Sequence, residues 1–187
     1  MYHFPFSFEF VPVVQKFAYR HITEIPTAVL FGAQLDEISE QVNRELKFYN
    51  LPTLFSAHVF RKPAHCTQDI HKDVYFLNDG RKVIKEVAYN VPVYGCDNTF
   101  MEWFDGKYVE KFEKVNLCDN RTVFRFYPEW EDGPHLAERM AFAGPHFFKI
   151  NEYHRAITGS EERVVMSLRF NDDLKIEHYY KQLHKSK

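Results

Sequence analysis

The sequence predicts a mainly β fold, a two-sheet jelly roll with one flanking helix, in a single domain. Three observations lead there. Aromatic residues, which favour strands, reach 17% of the 187 residues, with 19 Phe and 11 Tyr. A series of short β-type runs fills the chain after Pro52, and one amphipathic helical stretch precedes them. The length suits one compact domain, since domains commonly run to roughly 100–200 residues, and 45% apolar residues rule out disorder.

Residues 1–33 are rich in Phe and Pro, and Pro5, Pro12 and Pro26 are expected to deny them a long helix and leave extended segments over the core. From Gln34 to Tyr49, Leu35, Ile38, Val42 and Leu46 recur three or four apart among charged residues, the pattern of a surface helix that ends before Pro52. Eight candidate strands follow: Leu54 to Phe60, Gln68 to Phe76, Val83 to Val93, Thr99 to Phe104, Tyr108 to Phe112, Thr122 to Tyr127, Phe147 to Ile157 and Arg163 to Phe170. Asn78-Asp79-Gly80, Asp105-Gly106, Asp132-Gly133-Pro134 and Thr158-Gly159-Ser160 separate them, and Asp-Gly between apolar runs is a hairpin signal. Eight strands beside one helix describe a double-stranded β-helix, the cupin-like jelly roll, over residues 54–170. Residues 1–53 lead into it, and residues 171–187 form a tail in which a short polar helix from Asp172 is expected.

The 24 basic and 26 acidic residues leave a net charge of -2 without a like-charge block, so no extended nucleic-acid surface is expected and the substrate is a small molecule or a peptide. No apolar run reaches the ~18 residues of a membrane span. The start, Met1-Tyr2-His3-Phe4-Pro5-Phe6-Ser7-Phe8-Glu9, has no basic leader, so a cytoplasmic location is expected. Cys66, Cys96 and Cys118 show no C-x-x-C spacing and read as buried free thiols. A Gly-rich phosphate loop, a G-x-S-x-G elbow and a Cys–His nucleophile pair are all missing, so nucleotide hydrolysis and acyl transfer have no support.

His71-Lys72-Asp73 lies in the second candidate strand. Residues two apart on a strand point the same way, so His71 and Asp73 share a face and Lys72 points oppositely. An imidazole and a carboxylate side by side suit a divalent metal such as iron, with at least one more ligand required. The same spacing also describes a solvated polar face or a His–Asp hydrogen bond. Further on, residues 151–163 read as a hairpin turning at Thr158-Gly159, with Gly supplying an unusual backbone angle. That register sets Arg163 almost opposite His154, where a metal-bound acid would reach the guanidinium. The last strand alternates Arg163, Val165, Ser167 and Arg169 against Val164, Met166, Leu168 and Phe170. Periodicity allows either face to be the inner one: the polar face lining a cavity with the apolar face on the helix, or the reverse.

The ordered set His71-x-Asp73, distal His154 and Arg163 nine residues after it resembles the iron(II)- and 2-oxoglutarate-dependent oxygenase superfamily. The phrases Phe60-Arg61-Lys62-Pro63, Ile70-His71-Lys72-Asp73, Tyr89-Asn90-Val91-Pro92-Val93 and Ser167-Leu168-Arg169-Phe170 are similar to those of its small single-domain bacterial and phage members, over approximately Leu54 to Phe170. The resemblance implies a jelly roll whose second and seventh strands carry the metal ligands and whose eighth carries the basic residue. It makes His71, Asp73 and His154 the catalytic metal triad for Fe(II), and Arg163 the clamp on the C5 carboxylate of the co-substrate 2-oxoglutarate. The implied reaction hydroxylates a substrate, with release of succinate and carbon dioxide. Many members have Arg-x-Ser at the clamp, whereas Val165 stands here, so another hydroxyl must assist; Tyr89, Thr99 and Tyr94 are the candidates. Asn90 is a candidate for the C1 end of the co-substrate, or else an edge-strand or turn polar residue.

His65, six before His71, reads as a loop residue, and His135 and His146 read as surface or capping residues. His146 has no Arg at the clamp interval. Trp103, Tyr94 and Phe124 would line a substrate mouth or pack in the core. Two alternatives to the oxygenase stand beside it: a non-catalytic jelly-roll binding module, and a metal-cupin dioxygenase without 2-oxoglutarate. Arg163 separates the last from the first, because only a keto-acid site needs a carboxylate anchor.

Overall fold

The computed structural model describes residues 1–24, 28–73, 75–76, 82–83, 85–116, 122–171 and 174–185. Its elements are β1 (His3–Pro5), α1 (Val11–Glu24), β2 (Ala28–Phe31), a 3-10 turn (Gly32–Leu35), α2 (Asp36–Phe48), β3 (Leu54–Lys62), β4 (Tyr75–Phe76), β5 (Lys82–Val83), β6 (Val87–Tyr94), β7 (Phe100–Asp105), β8 (Tyr108–Asn116), β9 (Thr122–Trp130), β10 (His135–Ala141), β11 (His146–Lys149), β12 (His154–Ile157), β13 (Arg163–Phe170) and α3 (Ile176–His184).

One sheet runs β1-β11-β6-β13-β3-β2 and the facing one β10-β7-β12. Residues 67–73 continue the second sheet past β12 through isolated antiparallel bridges, Thr67 with Ile157 and His71 with His154. Followed along the chain, β3, residues 67–73, β6, β7, β10, β11, β12 and β13 wind between the sheets, which is the expected double-stranded β-helix, although two of the strands counted towards it, Tyr108 to Phe112 and Thr122 to Tyr127, are not among them. Among the described residues β8 and β9 pair only with each other, and they form an arm inserted between β7 and β10.

The outer face of the six-stranded sheet buries Val164, Met166, Leu168 and Phe170 of β13 against the three helices, and the inner face encloses a second core with Val165, Met101 and Trp103. Fully burying each such apolar side chain contributes about 1.5–3 kcal/mol. Of the two faces open on β13, Arg163, Ser167 and Arg169 therefore line the interior, all within 4% exposure. A groove of about 550 Å³ lies elsewhere, between β1, Tyr49, Pro145 and α3.

Several expectations need correction. Residues 1–33 are not all extended: α1 spans Val11–Glu24. Pro12 sits in its first turn, where no N–H is needed, and Val11, Val14, Phe17 and Ala18 supply a buried stripe. Among the described residues, the run Gln68 to Phe76 has no continuous ladder, only the His71–His154 bridge and the short β4. Phe147 to Ile157 is two strands in different sheets, β11 and β12. β10 is an extra strand at residues 135–141; its side chains are mostly exposed, so no alternating apolar signal marks it. The tail helix α3 is amphipathic, burying Ile176, Tyr179 and Leu183. Cys118 and Asn78-Asp79-Gly80 lie outside the described residues; Cys66 and Cys96 are free thiols, of which Cys96 is buried and Cys66, in the loop after β3, only half-buried.

Asp105-Gly106 and Asp132-Gly133-Pro134 do not close hairpins; they stand at the two roots of the arm. Gly159 lacks the unusual backbone angle expected of it. It is small because a Cβ there would stand 2.9 Å from the carbonyl oxygen of Asp97.

Candidate metal centre

Residues 67–73 and β12 run antiparallel, and His71 and His154 face one another across them. The His71 N–H donates to the His154 carbonyl at 3.0 Å and the His154 N–H to the His71 carbonyl at 2.9 Å. Their side chains enter the interior with ring centroids 4.7 Å apart. Two residues on, the Asp73 N–H donates to the carbonyl of Ile150 at 3.1 Å, which keeps Asp73 on the same face as His71.

Each imidazole is held in one tautomer. Nδ1 of His71 donates to the Asp69 carbonyl at 2.8 Å, and Nδ1 of His154 to the Glu152 carbonyl at 2.8 Å. A carbonyl oxygen accepts only, so Nδ1 carries the proton and Nε2 presents a lone pair. Both Nε2 atoms face Oδ1 of Asp73, at 3.6 and 3.8 Å. The three donor atoms lie within 4.8 Å of one another, the one such His/Cys/Asp/Glu group among the described residues. Two imidazoles and one carboxylate meeting at a point suit a first-row divalent ion with coordination positions left open.

Electrostatics favour the ligating protonation states. Burial pushes the Asp73 carboxyl up, but the guanidinium of Arg169, then His154, His71 and His58, outweigh it and hold the group below the usual carboxylate range. Burial, aided by His71, lowers His154 to about 4, so it is a neutral lone-pair donor at neutral pH. Nη2 of Arg169 donates to Oδ2 of Asp73 at 2.6 Å, and its Nη1 donates to Oγ of Ser167. Ser167 in turn hydrogen-bonds Asn90 across to β6, and His58 lies opposite Ser167 on β3. Burial and then Arg169 push His58 down to about 3, so it too is neutral.

Arg163 is 4% exposed, and its placement corrects the hairpin expectation. β12 and β13 lie in opposite sheets, so Arg163 is not the cross-strand neighbour of His154. It spans the interior instead: Nη2 is 3.8 Å from Sδ of Met101, and the guanidinium carbon is 5.3 Å from the Phe142 ring centroid. Met101 pairs with Ala156 and Trp103 with His154. The guanidinium therefore lies beside Met101, whose strand neighbour Ala156 is two residues along β12 from His154. The Nε of Arg163 has no hydrogen-bond partner, the Cys96 thiol is its other polar neighbour, and among the described residues no carboxylate pairs with it.

The remaining candidates divide clearly. Asn90 is inside, as the Ser167 contact requires. Tyr89 is not part of the site: it points to the helix side, and its hydroxyl donates to the Phe6 carbonyl at 2.9 Å. The alternation that brings Asn90 inward sends its neighbour out. Tyr94 is exposed. Thr99 is 1% exposed with an unpartnered Oγ1, two residues before Met101 and hydrogen-bonded through its backbone to Cys96 and Phe142, the neighbours of Arg163. Trp103 is core, donating its indole N–H to the Lys149 carbonyl at 2.8 Å; the Phe124 side chain lies outside the described part. His65 and His135 are exposed. His146 hydrogen-bonds the Gly144 carbonyl at 2.8 Å and is no ligand.

The sequence by itself marks neither Arg169 nor His58 as part of the site. A signal for Arg169 was nonetheless present: it lies on the same strand face as Arg163, six residues on, and a buried Arg facing a carboxylate ligand is a natural support for it. His58 had no signal beyond strand alternation.

No protein-family model matches the chain, and no curated protein matches it. Among solved structures, the chain is similar to a Pseudomonas putida prolyl-4-hydroxylase, at 14% identity over 87% of this chain and 88% of that one, with a TM-score of 0.42. It is also similar to a viral collagen prolyl hydroxylase from Paramecium Bursaria Chlorella virus-1, solved with 2OG, at 9% identity over 82% and 88% of the two chains, with a TM-score of 0.38.

Proposed function

We propose that this protein is an iron(II)- and 2-oxoglutarate-dependent oxygenase of the hydroxylase type. His71 Nε2, Asp73 Oδ1 and His154 Nε2 would hold the ion. The observation that carries the keto-acid part is the buried Arg163 in the same interior, whose guanidinium meets the sulfur atoms of Met101 and Cys96 and, among the described residues, no carboxylate. A desolvated cation with no counter-charge is unfavourable, and a short dicarboxylic acid held at one end by the metal would supply the missing anion at the other through two parallel hydrogen bonds. The orphaned Thr99 hydroxyl is the natural second donor to that carboxylate and takes the role that Val165 cannot fill.

Iron(II) with 2-oxoglutarate, held by these residues, would supply the oxidative chemistry for hydroxylation of a C–H bond. The chain's own residues do the rest. The Nδ1 hydrogen bonds orient both imidazoles, Arg169 occupies Oδ2 of Asp73 so that Oδ1 is the ligating atom, and Met101, Trp103, Val165 and Ala156 wall the interior against water.

The test is an anaerobic visible spectrum. Iron(II)-loaded protein is expected to gain a charge-transfer band on addition of 2-oxoglutarate, and His71→Ala to lose it. Folded, iron-loaded wild type that shows no band with the keto acid would refute the reading.

A further inference from the structure

His71 and Asp73 turn inward, so Lys72 between them turns outward, yet its side chain is only 13% exposed. It ends in a cage at the root of the β8–β9 arm. The ammonium donates to the Tyr108 hydroxyl at 2.9 Å and lies 3.7 Å from Oε2 of Glu110. It also stands 4.3 Å from the ring centroid of Tyr153 and 5.0 Å from that of Tyr108. Tyr153, the residue before His154, donates its hydroxyl to the same Glu110 oxygen at 3.3 Å. Its ring meets Tyr108 edge-on at 4.6 Å and Trp130 of β9 at 5.7 Å.

These contacts tie together three pieces of chain: the segment bearing His71 and Asp73, the start of β12 bearing His154, and the arm. The first of these most needs the support, because isolated bridges rather than a continuous ladder hold residues 67–73 to β12. A cation on an aromatic face, further fixed by a hydroxyl and a carboxylate, is a directional restraint on that segment.

We propose that the arm root clamps the metal centre from behind, with Lys72 as the positioning residue whose cage of Tyr108, Glu110 and Tyr153 fixes His71 and Asp73 against His154. The inference rests on the triad binding a metal, as proposed above. It carries a sign that simple electrostatics does not. Deleting a positive charge near a cation site strengthens cation binding if charge alone matters, whereas losing the clamp weakens it.

The probe is Mn²⁺ alone, titrated into the full chain and followed by loss of the free-ion paramagnetic resonance signal. Lys72→Met is expected to weaken binding about tenfold, in the range typical of lost ligand support. Tyr108→Phe, which keeps the ring and removes the hydroxyl, is expected to weaken it about threefold, and Lys72→Arg, which keeps charge and stacking, to restore most of the affinity. Should Lys72→Met fail to fold, Tyr108→Phe decides, since it alters only the hydroxyl of a residue that is 36% exposed on the arm. Wild type that binds Mn²⁺ with folded variants binding it equally or more tightly would overturn the clamp and leave the metal centre standing. Wild type that binds no Mn²⁺ would overturn both.

Discussion

Arg169 and Asp73 form a 2.6 Å ion pair that divides the carboxylate between two tasks: Oδ2 belongs to the guanidinium, and Oδ1 faces the two imidazole Nε2 atoms. Arg169 is 1% exposed, so the pair lies where removal of one partner strands the other. Arg169→Met is expected to destabilise the protein by about 3 kcal/mol, the usual result of breaking a buried pair, and to weaken metal binding about tenfold. Urea unfolding and a metal titration of the same variant check both. Little loss in either would mean that water replaces the guanidinium at Oδ2.

Arg163 gives the opposite sign in stability. Its charge is buried with no carboxylate beside it among the described residues, so Arg163→Met, which keeps much of the volume and drops the charge, is expected to stabilise the ligand-free protein by about 1 kcal/mol. It should at the same time abolish the stabilisation that 2-oxoglutarate confers on the metal-loaded wild type, about 2.7 kcal/mol at a hundredfold excess over Kd. Thermal melts of the two proteins, with and without the keto acid, separate these effects. A destabilised variant that still responds to 2-oxoglutarate would place the carboxylate elsewhere.

Thr99 refines that expectation. Its hydroxyl has no partner to lose, so Thr99→Val should leave the melting temperature of the ligand-free protein within a degree or two of wild type. The hydroxyl's hydrogen bond to a bound carboxylate is worth about 1 kcal/mol, so the Kd for 2-oxoglutarate should rise about fivefold. A titration of the keto acid against the charge-transfer band reads this directly, and an unchanged Kd would return the assisting role to another group.

Burial, helped by Arg169, lowers His58 in the folded state to about 3 from an ordinary 6.5. Between those values the unfolded chain binds a proton that the folded chain refuses, so the stability contribution is complete above about pH 6.5 and is lost as the pH falls towards 3. In the metal-free protein His154, at about 4, adds a slope of the same sign, while Asp73, lowered from 3.8, acts only below about pH 4. His58→Gln should therefore remove one of the contributions of this sign between pH 6 and 4.5, beside those of His154 and of His146, which burial also lowers, each about 1.4 kcal/mol per pH unit at most. Denaturation midpoints measured across that window test it; an acid limb as steep as that of wild type would contradict the buried neutral state.

The parts of this protein that were legible in the sequence are those fixed by alternation along one strand. His71 with Asp73, and Arg163 with Val165, Ser167 and Arg169, share faces because side chains alternate whatever the partner strand is. The pairing partners were not legible. Thr158-Gly159 reads as a tight turn, but it passes the chain from one sheet to the other, and only long-range packing makes His71 rather than Arg163 the neighbour of His154. The same limit hid the metal segment's irregular pairing and the roles of Arg169 and His58. Each depends on a contact with a residue distant in the chain: Asp73 lies 96 positions from Arg169.

The start of α1 shows the same dependence on a distant residue and gives a further test. Pro12 and the absence of an acidic residue in the first turn make Val11–Glu24 a poorly signalled helix. Its N-terminus is completed from α2, where Glu45 accepts the N–H of Glu9 at 2.8 Å through Oε1 and that of Phe10 at 3.0 Å through Oε2. One carboxylate thus serves two donors just before the helix and places a negative charge at its positive end. Glu45→Ala should cost about 1–2 kcal/mol, the range for loss of an N-terminal cap, and speed amide exchange at Glu9 and Phe10. Glu45→Gln, which can accept through one oxygen only, should fall between that variant and wild type. Because α1 packs on the outer face of the six-stranded sheet, away from the triad, neither substitution should change metal affinity; a loss there would mean that the helix layer and the metal centre are energetically coupled.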